Sequence, residues 1–130
     1  MGSEKVKEEK MNEEKKIKTK TGQLWVEHDD VPAEEMPTWE ARRILAHGPE
    51  MMMVENTFLK GNTAPEHRHP HTQITYVIEG TLAFSIEGDT RGLHKGDSVF
   101  IPPNTLHSAL AVEDSLLIDM FAPMREDFLD

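Results

Sequence analysis

Short apolar runs separated by turn residues fill the chain from Gln23 onward. Within the runs apolar and polar positions alternate, as in half-buried β-strands, and the breaks are rich in Gly, Pro, Asn and Asp. No segment sustains a period of about 3.6 residues, so long helices are not expected. The pattern predicts strands at Leu24–Glu27, Thr38–Leu45, Met51–Leu59, Ile74–Ile78, Leu82–Ile86, Arg91–His94, Ser98–Ile101, Leu106–Val112 and Leu116–Phe121. Only the tail Met124–Leu129 is expected to form a helical turn.

The first twenty residues differ from the rest in composition. They hold seven Lys and five Glu with few, isolated apolar positions. Because so little apolar surface cannot offset the entropy lost on ordering, a disordered or fraying helical leader is expected at residues 1–20. Residues 21–130 suffice for a single domain with one hydrophobic core, and their pattern predicts an all-β sandwich or barrel.

The net charge of −10 is unevenly distributed, because residues 1–20 carry +2 and residues 21–130 therefore carry −12. Such a surface repels nucleic acid and anionic membranes, so neither is expected as a partner. The sequence has no Cys, which excludes disulfides, thiolate ligands and cysteine nucleophiles. No apolar run approaches the ~18 residues that span a bilayer and the start is charged, so a cytoplasmic protein is expected.

Imidazoles cluster in the middle of the chain. His67, His69 and His71 are two residues apart, and in an extended chain such positions face the same side. Two imidazoles that converge in this way make half of a metal site, and Gln73 adds an amide oxygen just beyond them. His71 is ambiguous, because it could compete as a ligand or line the pocket as a proton carrier.

A third imidazole, His107, follows a second segment in which a glycine and a Pro-Pro-Asn turn bracket a predicted strand. Three neutral imidazoles and one amide oxygen suit one divalent ion, so His67, His69, Gln73 and His107 are the predicted metal ligands. Zn, Ni, Fe, Mn and Co all fit this set. The alternative is a protein that carries these histidines without metal, but several buried imidazole nitrogens would then need other partners.

The two segments resemble the two conserved motifs of the cupin superfamily. They read Gly61-x5-His67-x-His69-x3-Gln73-x6-Gly80 and Gly96-x5-Pro102-x-Asn104-x2-His107. The resemblance implies a cupin double-stranded β-helix, which is a jelly-roll-like barrel, and a homodimer. Three positions depart from the family's pattern: Gln73 replaces the usual Glu, Asn104 replaces a common Gly, and Ala111 stands where Asn often follows the last histidine.

Glutamine in place of glutamate has a chemical consequence. With four neutral ligands a bound ion keeps its double positive charge, which makes it a stronger Lewis acid and an attractor for anions. It thereby supplies a local positive field in an acidic protein. The set also differs from the two-histidine, one-carboxylate arrangement of iron oxygenases.

Alternation along the last predicted strand places Asp119 and Phe121 on one face. A carboxylate there is costly to bury unless it is paired or hydrogen-bonded, and Arg125 is a natural partner. Of the other cations near the motifs, Arg68 alternates away from the histidines and Arg91 follows a hairpin turn. One interpretation makes Asp119 and Arg125 a structural ion pair, and the other gives them a catalytic role.

Residues 96–104 and 118–129 are similar to the KdgF family of pectin-degradation cupins. That family holds its metal with three His and one Gln and has an Asp-x-Phe-x3-Arg pattern, which is Asp119, Phe121 and Arg125 here. The resemblance implies an enzyme that opens 4,5-unsaturated monouronates from pectin or alginate into linear keto acids. It implies Asp119 as general acid/base, Phe121 as a wall for the sugar and Arg125 as the clamp on the carboxylate of a small anionic substrate.

Two other functions stay open. A metal-dependent cupin enzyme with another reaction, such as a dioxygenase or a sugar isomerase, would be favoured by a wide, purely apolar pocket. A non-catalytic cupin that binds a small molecule would be favoured by a narrow or filled barrel.

Overall fold

The computed structural model describes residues 22–129, so the leader predicted at residues 1–20 lies outside the described residues. The strands are β1 (Ala41–Gly48), β2 (Met51–Phe58), β3 (Thr63–His67), β4 (Thr72–Glu79), β5 (Thr81–Ile86), β6 (Asp89–His94), β7 (Ser98–Ile101), β8 (His107–Ala111) and β9 (Ser115–Ala122). Single 3₁₀ turns lie at His28–Asp30 and Glu126–Phe128, and the second confirms the helical turn expected in the tail. In this part of the chain no helix is long and apolar enough to cross a membrane.

The strands form two antiparallel sheets. One has the order β1-β2-β9-β4-β7 and the other has the order β3-β8-β5-β6. Their inner faces share one apolar cluster, to which Val77 and Leu117 come from the first sheet and Leu82 and Phe84 from the second. This architecture confirms the all-β class predicted from the sequence.

Strict alternation in the first sheet decides what enters the interior. On β2, β4 and β9 every second side chain is buried, so Asp119 and Phe121 do share the inner face. The register sets Thr75 of β4 directly opposite Asp119 of β9, with Val54 of β2 on the other side of the same residue. A polar layer is thereby built into the wall of the barrel.

One predicted strand is wrong, and one observed strand was not predicted. Leu24–Glu27 is not a strand, because no neighbouring strand pairs with it in the described residues, and Leu24 and Trp25 stay 92% and 80% exposed. β3 was not among the predicted strands, because Pro65 interrupts the pattern. β3 lies at the edge of its sheet, where a missing backbone donor is tolerated, and its register with β8 shifts between Ala64 and His67.

Candidate active site

A cavity of about 300 Å³ lies between the two sheets. Six of the seven predicted site residues line it: His67, Gln73, His107, Asp119, Phe121 and Arg125. The seventh, His69, packs against this wall, with its ring centroid 4.9 Å from that of His107. The structure therefore brings the predicted residues together at one place.

Strand pairing places the imidazoles side by side. His67 at the end of β3 is the register partner of His107 at the start of β8, and their ring centroids are 4.2 Å apart. His69 follows two residues after β3 and completes the group. One ring nitrogen from each histidine lies within 4.8 Å of the other two, so the three imidazoles are positioned to bind a metal ion.

Backbone carbonyl groups determine which nitrogen each imidazole presents. In all three histidines the Nδ1–H donates to a carbonyl oxygen two residues away, at 2.7 Å from His67, 3.1 Å from His69 and 2.8 Å from His107. Because a carbonyl oxygen only accepts, Nδ1 carries the proton and Nε2 keeps a lone pair. The Nε2 of His107 is buried and has no hydrogen-bond partner among the described residues.

Gln73 is oriented by its own neighbours. Its Nε2 donates to Thr75 Oγ1 at 3.0 Å and to Asp119 Oδ1 at 3.2 Å, so its Oε1 turns toward His69. Oε1 lies 2.9 Å from His69 Nε2, which places two lone pairs opposite each other when His69 is neutral. A cation shared by both atoms relieves this repulsion, so the residues present fit a divalent ion bound by three imidazoles and an amide oxygen.

Burial also favours the neutral form of His69 and His107. It lowers the pKa of His107 to about 4 and, reinforced by the charge of Arg125, lowers the pKa of His69. Ligation requires a neutral ring, so both side chains are ready to bind metal at physiological pH.

Asp119 is held in the cavity wall by hydrogen bonds and not by an ion pair. Its Oδ2 accepts from Asn56 Nδ2 at 2.7 Å, and its Oδ1 accepts from Thr75 Oγ1 at 2.5 Å and from Gln73 Nε2. Burial raises the pKa of the Asp119 carboxyl, and the three donors oppose that rise. The ion pair with Arg125, which one of the two interpretations expected, is not found in the described residues.

Arg125 instead pairs with Asp127. Its Nε and Nη2 donate to the two carboxylate oxygens of Asp127 at 3.0 and 2.8 Å. The guanidinium carbon lies 5.1 Å from the ring centroid of Phe121 and 4.2 Å from that of Phe128. The tail therefore returns over the cavity and places this cation on its wall.

His71 is not part of the three-imidazole group. Its ring centroid is 5.5 Å from that of His69, and it lines a neighbouring surface depression together with Arg68 and Asp127. Burial and the charge of Arg125 lower its pKa. The structure thus places His71 beside the metal-binding group and not within it.

Several polar residues of the cavity wall were not predicted from the sequence, among them Arg42 on β1 and Asn56 on β2. They are register partners of each other, and Asn56 also accepts a hydrogen bond from the indole of Trp39 at 3.0 Å. Neither belongs to a motif. The alternation along β2 was the one signal that could have placed Asn56 inside.

Known proteins support this description of the fold. Residues 54–118 match the cupin domain family. Together with the double-sheet barrel and its imidazole group, this match shows that the chain belongs to the cupin family.

A curated relative is more specific. Over 103 residues the chain is 39% identical to the pectin degradation protein KdgF of Dickeya dadantii (strain 3937), an alignment that covers 78% of this chain and 94% of that protein. The resemblance to the KdgF family stated from the sequence is thereby confirmed.

Solved structures agree. The chain is similar to KdgF from Halomonas sp., with a TM-score of 0.77 and 35% identity over 82% of this chain and 98% of that one. It is also similar to an RmlC-like cupin from Shewanella frigidimarina NCIMB 400, with a TM-score of 0.82 and 33% identity over 85% of this chain and 99% of that one. The predicted cupin barrel is confirmed.

Proposed function

We propose that the chain is a metal-dependent enzyme that opens 4,5-unsaturated monouronates, the sugars released from pectin or alginate, into linear keto acids. One observation carries the proposal: three imidazole lone pairs, an oriented amide oxygen and a buried carboxylate lie together at one cavity. The relative named for pectin degradation supports the same substrate class.

This reaction is an isomerisation and needs one group that takes up and returns a proton. The C1 hydroxyl loses its proton, the bond from C1 to the ring oxygen breaks, and C1 becomes an aldehyde. The ring oxygen keeps the electron pair of that bond as an enolate on C5, and C5 becomes a ketone when the same proton is delivered to C4. Neither an oxidant nor water is consumed.

Asp119 is the residue suited to that proton transfer. Of the roughly four lone-pair positions of a carboxylate, three accept hydrogen bonds from Asn56, Thr75 and Gln73. The remaining position, on Oδ2, is left for a proton of the sugar. Because burial raises its pKa, the carboxylate is a stronger base than an exposed aspartate.

The other groups bind and orient the sugar. His67, His69, Gln73 and His107 would hold a divalent ion, which would act as a Lewis acid toward the hydroxyl oxygens of the sugar. The Phe121 ring, which packs edge-on against His69, forms a wall for the sugar ring. Arg125, fixed by Asp127, directs its positive charge at the carboxylate of the substrate.

The character of the cavity supports this function over the two alternatives. The cavity is not filled, whereas a filled barrel would favour a non-catalytic cupin that binds a small molecule. Its wall is not purely apolar, whereas such a wall would favour another metal-dependent reaction. Residues 21–130 carry a net charge of −12, so an anionic sugar needs local positive groups to enter. Arg42 and Arg125 on the cavity wall meet that need.

The test is a reaction of the metal-loaded protein with unsaturated galacturonate and unsaturated mannuronate. We expect loss of the absorbance of the C4=C5 enol ether and, by NMR, an open-chain product with a keto group at C5. Saturated galacturonate is the matched control and should stay unchanged. An unsaturated uronate that persists at its spontaneous rate would contradict the proposal.

A further inference from the structure

Arg42 is a second cation of the cavity, and its surroundings differ from those of Arg125. Its side chain is 12% exposed, and it reaches the cavity from β1 beside Asn56. Its Nε is buried and has no hydrogen-bond partner among the described residues. Among the described residues Arg42 forms one ion pair, from its Nη2 to Glu34 Oε2, and that contact is long, at 3.4 Å.

The two guanidinium groups lie against the same aromatic ring. The carbon of Arg42 is 4.1 Å from the ring centroid of Phe128, and the carbon of Arg125 is 4.2 Å from it. The two like charges are therefore no more than about 8 Å apart and repel, and a shared anion relieves that repulsion. Arg125 is already compensated by two short hydrogen bonds to Asp127, whereas Arg42 has no comparable partner among the described residues.

We propose that Arg42 is a substrate-binding residue that selects an anionic sugar, donating from its buried Nε and its terminal nitrogens to the carboxylate. The inference rests on the proposed function for its substrate class. In this proposal Arg42 makes the two-point contact with the substrate carboxylate, because the Nε and Nη2 of Arg125 already donate to Asp127. The Arg42 side chain lines the cavity, and its Nε, which has no hydrogen-bond partner among the described residues, would gain one from a carboxylate bound there.

The chain supplies a matched control on the same strand. Arg43 follows Arg42 but alternates to the other side of β1, where it bonds Glu55 Oε1 at 3.3 Å and the carbonyl oxygen of Val31 at 3.1 Å. It is not on the cavity wall. Replacing Arg43 therefore removes the same charge without touching the proposed contact.

The test is calorimetric titration of the metal-loaded protein with saturated galacturonate, which is anionic and unreactive, and with neutral galactose. We expect the native protein to prefer galacturonate. Arg42→Gln should weaken galacturonate binding roughly 10- to 100-fold, as expected for loss of hydrogen bonds to a charged group, and leave galactose binding unchanged. Arg42→Lys should recover part of the preference because it keeps the charge and loses the fork, and Arg43→Gln should behave as native.

Several outcomes separate this inference from the proposed function. If Arg42→Gln keeps the native preference, or if the native protein shows none, the inference is wrong. If a thermal melt shows that Arg42→Gln does not fold, Arg42→Lys becomes the test of the inference. Native-like galacturonate binding in Arg42→Lys would show that the guanidinium group is not needed and would overturn the inference. A preference that depends on Arg42 in a protein that leaves unsaturated uronates unchanged supports the inference and contradicts the proposed function. Where turnover occurs, KM should rise in Arg42→Gln much more than kcat falls, and an unchanged KM overturns the inference.

Discussion

The same strands of the barrel build two interior regions of opposite character. In the apolar region Val77, Leu82 and Leu117 are at most 4% exposed and pack across the two sheets. In the polar region Thr75 and Asp119 are 0% and 8% exposed, yet they carry a hydroxyl and a carboxylate. Leu117 and Asp119 are successive inward positions of β9, so strand geometry buries both alike.

The difference lies in what burial does to each region. Burying an aliphatic side chain contributes about 1.5–3 kcal/mol to folding. A buried carboxylate loses hydration, which its three hydrogen bonds offset in part, and its raised pKa records the remaining cost. The apolar region therefore stabilises the fold, and we infer that the polar region is kept for chemistry. Substitutions in the two regions should accordingly affect different properties.

The largest effect is expected in the polar region. Asp119→Asn keeps the size of the side chain and removes its capacity to take up a proton, so turnover of unsaturated galacturonate should fall about 10²- to 10⁴-fold. Metal content and melting temperature should stay close to native. Steady-state kinetics, elemental analysis and a thermal melt on one preparation check all three. Native turnover in this variant would return Asp119 to a structural role.

The reverse pattern is expected in the apolar region. Leu82→Ala leaves a cavity at a site with 0% exposure and should lower the free energy of unfolding by about 2–5 kcal/mol. While folded, the variant should bind metal and turn over substrate normally, because Leu82 does not line the active-site cavity. Denaturant titration gives the free energy, and kinetics at low temperature give the turnover.

Leu110→Ala is the matched control for that substitution. Leu110 lies on β8 and is 45% exposed, so its truncation should change the free energy of unfolding by no more than about 0.5 kcal/mol. Equal losses in the two variants would contradict the division of the interior into a stabilising and a functional region.

The smallest effect is expected at the rim of the polar region. Arg125 holds the pKa of the Asp127 carboxyl below its usual range, so the pair contributes stability above the ordinary pKa of an aspartate. That contribution is lost as the pH falls through the lowered pKa. Asp127→Asn should therefore be less stable by at most about 1 kcal/mol near neutral pH and should converge with the native protein in acid. A loss that persists unchanged in acid would show that the ion pair is not its cause.

Local patterns predicted most of the site. Alternation and motif spacing identified His67, His69, Gln73 and His107, because each belongs to a short segment whose geometry is set by its own strand or turn. Alternation likewise placed Asp119 in the interior. The homodimer implied by the family resemblance and the roles of these residues stay predictions.

Contacts between distant segments could not be predicted in this way. Arg42 reaches the cavity because β1 pairs with β2, and no sequence motif predicts that pairing. The partner of Arg125 is Asp127 and not Asp119, because the tail forms a 3₁₀ turn that folds the chain back on itself. The position of a strand within its sheet could not be predicted either. Pro65 is compatible with β3 because β3 lies at the edge of its sheet, whereas a proline would not fit a central strand.

The central claim is that the polar region is a metal-dependent site for an unsaturated uronate. The most direct measurement is turnover of unsaturated galacturonate by protein stripped of metal with a chelator and then titrated with a divalent ion. The account predicts no turnover above the spontaneous rate in the stripped protein, and a recovery that reaches its plateau at about one ion per chain. Full turnover in the stripped protein, confirmed free of metal by elemental analysis, would contradict it.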